Sequence, residues 1–168
     1  MKQAAIMVAL AGLACAGVAP AVQAQNKVFA LVPKNMNNPF FDQARDGCQK
    51  AAAEIGGIEC YYIGPGEHGG GDEQFQMVQD LIAKKVDGLA VSVANAPAIA
   101  KAAAAAKAAG IPLVTWDSDL LDQDHALRAT YIGTVNTEIG KEIAKRAMAL
   151  KPDGGTFCIQ SGGPAGST

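Results

Sequence analysis

The chain has 168 residues, with 14 basic and 16 acidic side chains and a formal charge of −2. A balance this near neutrality, with no clustered Lys and Arg, excludes the basic footprint of a nucleic-acid binder, so no nucleic-acid partner is expected. The length accommodates one compact domain of ordinary size and part of a second.

Residues 1–24 read as a secretory signal peptide. Lys2 is followed by an apolar stretch from Ala4 to Val18, a helix-breaking Pro20 and the small-residue exit Val22-Gln23-Ala24. The apolar run is short and rich in Ala and Gly, and no later stretch offers the ~18 consecutive apolar residues of a membrane span. Leu13-Ala14-Cys15 faintly suggests a lipoprotein cleavage site, but Gly12 stands where such sites want a large aliphatic residue, and Ala24 is the better exit. Removing these residues leaves 13 basic against 16 acidic side chains and the cysteines Cys48, Cys60 and Cys158. An oxidising compartment permits a bridge between Cys48 and Cys60, the nearest pair. An odd count without regular spacing is no disulfide framework, however, and small buried apolar residues are the favoured reading.

From Lys27 onward, short β-branched runs alternate with longer amphipathic ones. Strands are expected at Lys27–Pro33, Glu59–Gly64, Gly88–Val93, Pro112–Asp117 and Ala129–Gly133. The first helix opens at Asn38-Pro39, repeats Phe41, Ala44, Cys48, Ala51, Ala52 and Ile55 at helical spacing, and ends at Gly56-Gly57. The second begins near Asp72 and carries Phe75, Val78, Leu81 and Ile82 on one stripe, with Lys84-Lys85 in its last turn. The third follows Pro97, is almost wholly Ala and Lys, and stops at Gly110-Ile111-Pro112. A fourth runs from about Asn136 to Leu150, with Ile139, Ile143, Ala147 and Leu150 expected inward, and a last strand is expected at Thr156–Gln160.

Strand and helix alternating in this way require right-handed crossovers and a parallel sheet covered on both faces, which is an open, doubly wound α/β fold. Ligands of such sheets bind beyond the carboxyl ends of the strands. The polar and aromatic residues gather in those loops: Lys34 to Phe41 after the first strand, Ala94-Asn95-Ala96 after the third, and Trp116-Asp117-Ser118-Asp119 after the fourth. Hydroxyls on a sugar rim call for amide and carboxylate partners, and its C–H faces for aromatic rings. Asn38 can donate and accept, Asp117 can accept two hydroxyl protons, and Phe40 and Phe41 can stack on the ring. Each also has a plainer account: Asn38 before Pro39 fits a turn and cap, Phe41 fits a core position, and Lys34 fits a solvated loop charge.

Other patterns carry less. Gly64-Pro65-Gly66-Glu67-His68-Gly69 spells a dinucleotide-binding fingerprint, but it follows the second strand and contains Pro65, so it is read as a loop and no cofactor is expected. His68 and His125 have no second ligand at metal spacing and are read as exposed loop residues, so no metal is expected. Asp117 with Asp119 imitates a catalytic carboxylate pair, but two side chains on one short turn rarely straddle a substrate bond. No nucleophile stands beside a base and an orienting partner, and no enzyme is expected.

Through Val32-Pro33-Lys34-Asn35-Met36-Asn37-Asn38-Pro39-Phe40-Phe41, Val78-Gln79-Asp80-Leu81-Ile82, Ala109-Gly110-Ile111-Pro112-Leu113-Val114-Thr115-Trp116-Asp117-Ser118-Asp119 and Tyr131-Ile132-Gly133, the chain resembles the ribose-binding-like periplasmic sugar-binding proteins of ABC transporters. The resemblance implies two similar lobes that close on a ligand about a hinge. Residues 25–132 would form the ligand-binding first lobe, and 133–168 the hinge crossing and the incomplete start of the second. It implies a sugar ligand, a permease in the inner membrane as partner, possible contact with a chemoreceptor, and a periplasmic location. It implies ligand contacts from Asn38, Phe40, Phe41 and Asp117, with Asn95, Ser118 and Asp119 as weaker candidates. Ser118 stands where ribose-type members usually place an arginine, and Thr115-Trp116-Asp117-Ser118-Asp119 with Pro33-Lys34 looks more like the branch of rhamnose and autoinducer-2 binders, in which the matching lysine reaches ligand. Family members are much longer, so the chain is expected to be a fragment whose first lobe keeps an unpaired sheet edge. The sensory lobe of a sugar-responsive repressor shares the architecture, but would need a helix-turn-helix where this chain has Met1–Ala24.

Overall fold

The computed structural model describes residues 26–66 and 70–159. The expected signal peptide, His68 and the end of the chain from Gln160 lie outside the described residues. Five strands form one sheet in the order β2-β1-β3-β4-β5. They are β1 (Lys27–Val32), β2 (Ile58–Tyr62), β3 (Gly88–Val91), β4 (Leu113–Trp116) and β5 (Tyr131–Ile132), and every pairing is parallel. The helices are α1 (Phe40–Ile55), α2 (Gly71–Ala83), α3 (Ala96–Ala108) and α4 (Asn136–Leu150), with a short 3-10 helix at Asp122–Leu127 that the apolar pattern did not announce. The doubly wound α/β class is the one expected. Most strands end a residue or two sooner than their apolar runs suggest, because the last residues of each run enter the loops.

Helix boundaries follow local chemistry. The Asn95 side chain accepts a 3.2 Å hydrogen bond from the Ala98 N–H, and Pro97 sits in the first turn of α3, where its missing N–H costs nothing. Gly110 at φ +73° then stops that helix before Pro112. The start of α2 presses on this cap so closely that a Cβ at Gly71 would stand 2.2 Å from the Asn95 Cβ, so only glycine fits there.

The two faces of the sheet differ. Ala30 and Val32 of β1 point toward α2 and α3, where seventeen buried residues form the main core, Ile99, Val78 and Leu81 among them. Leu31, between them in the strand, points the other way and joins Phe41 and Trp116 in a cluster of three buried residues under α1. Small Ala side chains on α3, six of whose residues are buried, let that helix lie close to the sheet. By contrast α1 buries only Phe41, and Ile55 of its expected stripe is 67% exposed.

Three expectations are corrected. Cys48 of α1 and Cys60 of β2 are joined in a disulfide, with Cα atoms 5.9 Å apart. Both follow the inward pattern of their elements as small apolar residues would, and the register of helix on strand brings them within bonding reach. No strand forms over residues 156–159, which have no neighbouring strand to pair with. The stripe of α4 is not inward: Ile139, Ile143 and Leu150 are exposed and no residue of that helix is buried. No described helix is long and apolar enough to cross a membrane.

Candidate functional site at the carboxyl edge of the sheet

β1, β3 and β4 lie side by side, and the chain leaves all three at the same edge. Lys34 follows β1, Ser92 follows β3 and Asp117 follows β4. Their side chains meet there. The Lys34 ammonium is 3.1 Å from Asp117 Oδ2, and the Ser92 hydroxyl donates to the same oxygen at 2.8 Å. Lys34 also donates to the Ser118 hydroxyl. Lys34 and Asp117 each keep a quarter of their side-chain surface open to solvent, so the pair is at the edge and not in the core.

Asp117 is held in an unusual backbone. Its φ is +60°, and the Ser118 N–H donates to the Trp116 carbonyl across it at 2.6 Å, which closes a three-residue turn. Such a conformation is costly for a residue with a Cβ and persists only when its surroundings enforce it. They do so here: the Asp117 N–H donates to Ile132 O at 3.0 Å, and the Tyr131 hydroxyl donates to Asp117 O at 2.8 Å. Burial, with the nearby charges of Asp119 and Asp117, raises the Tyr131 phenol above its usual range and keeps it a neutral donor.

Beside the Asp117 turn opens a cleft of about 580 Å³, lined by Phe40, Gln43, Ala44, Trp116, Asp117, Ile132, Gly133 and Thr134. Phe40 is 58% exposed and presents its ring. Phe41 does not: it is 3% exposed and packs edge-on between Phe40 and Trp116, with ring centroids 5.2 and 5.6 Å away. It therefore supports the wall from below. Asn38 is exposed in the same loop, and its side-chain oxygen accepts the Phe40 N–H at 3.0 Å, fixing the start of α1.

Two of the weaker candidates are turned away from this cleft. Asn95 caps α3. Asp119 accepts two hydrogen bonds from Arg128, at 2.7 and 2.6 Å, and others from the Thr115 hydroxyl and the Leu120 N–H. Burial would raise its pKa, but these donors and the Arg128 charge prevail and hold it below the usual carboxylate range. His125, expected as an exposed loop residue, is half-buried in the 3-10 helix, with Nε2 3.0 Å from Leu120 O and 3.3 Å from Asp119. Ser118, the third weaker candidate, is 4% exposed and engages Lys34.

Two residues that matter to the edge had no sequence signal strong enough to be singled out. Gln74 of α2 is fully buried. Its amide donates to Pro33 O at 3.0 Å and Ser92 O at 2.7 Å, and accepts from Ala94 N–H at 2.9 Å, lacing the ends of β1 and β3 together. Ser92 itself, a polar residue in the apolar run Val91-Ser92-Val93, is where the third strand delivers its side chain. The position singled out beforehand, Asn95, lies one turn too late.

A second cleft, of about 520 Å³, lies among Lys27, Glu59, Tyr61, Lys84, Lys85 and Asp87 at the opposite edge. The amino ends of β1 and β2 and the last turn of α2 bound it, and the ligand geometry of open α/β sheets points to the other edge.

The profile of the periplasmic binding protein domain matches residues 29–168. The chain belongs to this family. Among relatives of this periplasmic binding protein, the ribose import binding protein RbsB of Salmonella typhimurium is 29% identical over the whole of this chain, which covers 54% of the RbsB sequence. Among solved structures, GanP, a glucose-galactose binding protein from Geobacillus stearothermophilus, superposes with a TM-score of 0.75 at 25% identity, over 84% of this chain and 49% of GanP. An ABC transporter solute-binding protein from Burkholderia graminis, in complex with D-arabinose, gives 0.66 at 32% identity, over 79% of this chain and 44% of its own. The periplasmic binding protein described here thus spans about half the length of the relatives it matches.

Proposed function

We propose that the cleft beside Asp117 captures a neutral sugar or sugar-like polyol in the periplasm for delivery to an ABC importer. The observation that carries this reading is the meeting of Lys34, Ser92 and Asp117 from three adjacent strands beside the exposed Phe40 ring. A carboxylate with a fixed orientation accepts sugar hydroxyls, an ammonium donates to them, and an aromatic face takes the C–H side of the ring. Because Lys34 neutralises Asp117, the pair favours an uncharged ligand over an ion. In this reading Lys34, Asn38, Phe40 and Asp117 touch the ligand, Ser118 orients Lys34, and Phe41 backs Phe40. Asn95 and Asp119 shape the edge from outside the contact. Asp119 is committed to Arg128 and not paired with Asp117 across a bond, which speaks for binding and against hydrolysis.

Residues 25–132 serve as the first lobe, Gly133 onward as the crossing into a second, and ligand binding closes the two by a hinge. The disulfide supports export through a signal peptide in residues 1–24, since such bonds persist in oxidising compartments. The engagement of Lys34 with Ser118, where ribose-type members carry arginine, favours a second choice of cargo, a rhamnose- or autoinducer-2-like ligand, with a chemoreceptor as an additional partner.

The test is calorimetric titration of the full-length gene product against a sugar panel that includes ribose, arabinose, rhamnose and autoinducer-2. One ligand should bind at about micromolar affinity, roughly −8 kcal/mol. Asp117→Asn, which tolerates a positive φ better than Ala, should weaken it by about 10- to 150-fold, the cost of ~1.5–3 kcal/mol for a lost charged acceptor. Silence across the panel, or undiminished affinity in the Asn variant, would sink the reading.

A further inference from the structure

We infer that the Cys48–Cys60 bond fastens the ligand-facing turn of α1, so that the oxidised protein is the binding-competent one. The ligand in this inference rests on the sugar-cleft reading; the fastening rests on the fold alone. Phe40, Gln43 and Ala44, from the first two turns of α1, line the cleft. Yet of the 16 residues in that helix only Phe41 is buried, against six of the 13 in α3. Phe41, Ala44 and Cys48 recur at i, i+3 and i+7, one inward stripe, and the stripe ends at the covalent bond to Cys60 in β2. Beyond it Ala52 is half-buried and Ile55 is exposed, so the packing thins toward the end of the helix. α1 is anchored on the sheet by Phe41 against Trp116 at its start and by the disulfide about 10 Å further along the axis, with the Arg45 guanidinium over the Tyr62 ring between them as a weaker contact. With the disulfide cut, the helix can swing about the Phe41 anchor, and the cleft-lining residues carried by that swing are Gln43 and Ala44, which lie between the two.

Forming the bond takes two protons and two electrons from the two thiols. A dithiol–disulfide oxidant of the export compartment supplies the balance: a thiolate attacks its disulfide, the second cysteine displaces the mixed disulfide, and the oxidant leaves as a dithiol. Cys158 is exposed and outside this pair, so it is replaced by Ser in the test protein to prevent exchange.

Trp116 is the only tryptophan of the 168 residues and packs on Phe41, so its emission, isolated by difference against Trp116→Phe, reports the fastening. The full-length gene product is compared oxidised, reduced in place with a phosphine, and as C48S/C60S. On reduction, amide exchange across α1 should accelerate about tenfold or more while α2 and α3 keep their protection. Trp116 emission should shift to the red, and the Kd for whichever of ribose, arabinose, rhamnose and autoinducer-2 binds should rise at least about tenfold. Two free thiols with unchanged exchange, emission and affinity would overturn the inference, as would a uniform loss of protection, which would make the bond a staple of the whole fold. If none of these four ligands binds the oxidised protein, the cleft reading fails while exchange and emission still decide the fastening.

Discussion

Asp117 and Asp119 leave the same strand two residues apart, and the difference in their surroundings explains their different duties. Asp117 faces a lysine and a serine at an open edge. Asp119 is gripped by the Arg128 fork and the Thr115 hydroxyl, away from the cleft, and so locks the loop that carries Asp117. Because its folded pKa lies below the unfolded value, Asp119 contributes stability that is present above the ordinary carboxylate range and lost as pH falls through the folded pKa. The melting temperature should accordingly decline as pH drops below about 4. In Arg128→Ala that decline should shrink, because without the guanidinium the folded pKa of Asp119 moves back toward the unfolded value and the two states bind the proton more nearly alike. A carboxyl titration by NMR that leaves Asp119 unmoved in the Ala variant would refute this account. The pairing was hidden in the sequence because Arg128 is nine residues away, beyond a 3-10 turn whose apolar pattern has no period to read.

At the scale of elements, the parallel strands and helices were legible because strand runs of β-branched residues and helical stripes have different periods. Even α3, whose Ala content blurs its stripe, was delimited by Pro97 and Gly110. What could not be read was how much each face would bury: α1 and α2 both show an apolar stripe, yet α2 buries Gln74, Val78 and Leu81 where α1 buries Phe41 alone. Gln74 shows the limit most clearly, since a polar residue beside a stripe reads as surface. Here it satisfies two carbonyls and an N–H at the ends of β1 and β3. Gln74→Leu should keep the volume but orphan all three groups, costing roughly 3 kcal/mol at about 1 kcal/mol each. Urea denaturation checks this. A loss below about 1 kcal/mol would mean that the strand ends hold themselves, and that the register of Lys34 against Ser92 does not depend on the amide.

At the scale of the molecule, α4 is the element whose sequence and surroundings disagree. Ile139 and Ile143 recur at helical spacing and its boundaries are those read from the sequence, yet Ile139 is 44% and Ile143 62% exposed. Its ion pairs, Lys141 with Glu138 and Lys145 with Glu142, run along its own surface and tie it to nothing else. A helix of 15 residues without tertiary packing is marginal in water, because nucleation is costly and packing supplies most helical stability in proteins. An apolar stripe on such a helix makes sense if a second lobe covers it, as the division at Gly133 proposes. The 168-residue polypeptide should then be cut by trypsin first at Lys141, Lys145 and Arg146, while the sheet from β1 to β5 survives as a resistant core. In a full-length protein whose second lobe covers the stripe, the same bonds should resist. Early cleavage in both would remove the second lobe as the cover of α4, and resistance in both would show that α4 already packs on the first lobe, so that the crossing into a second lobe lies elsewhere than Gly133.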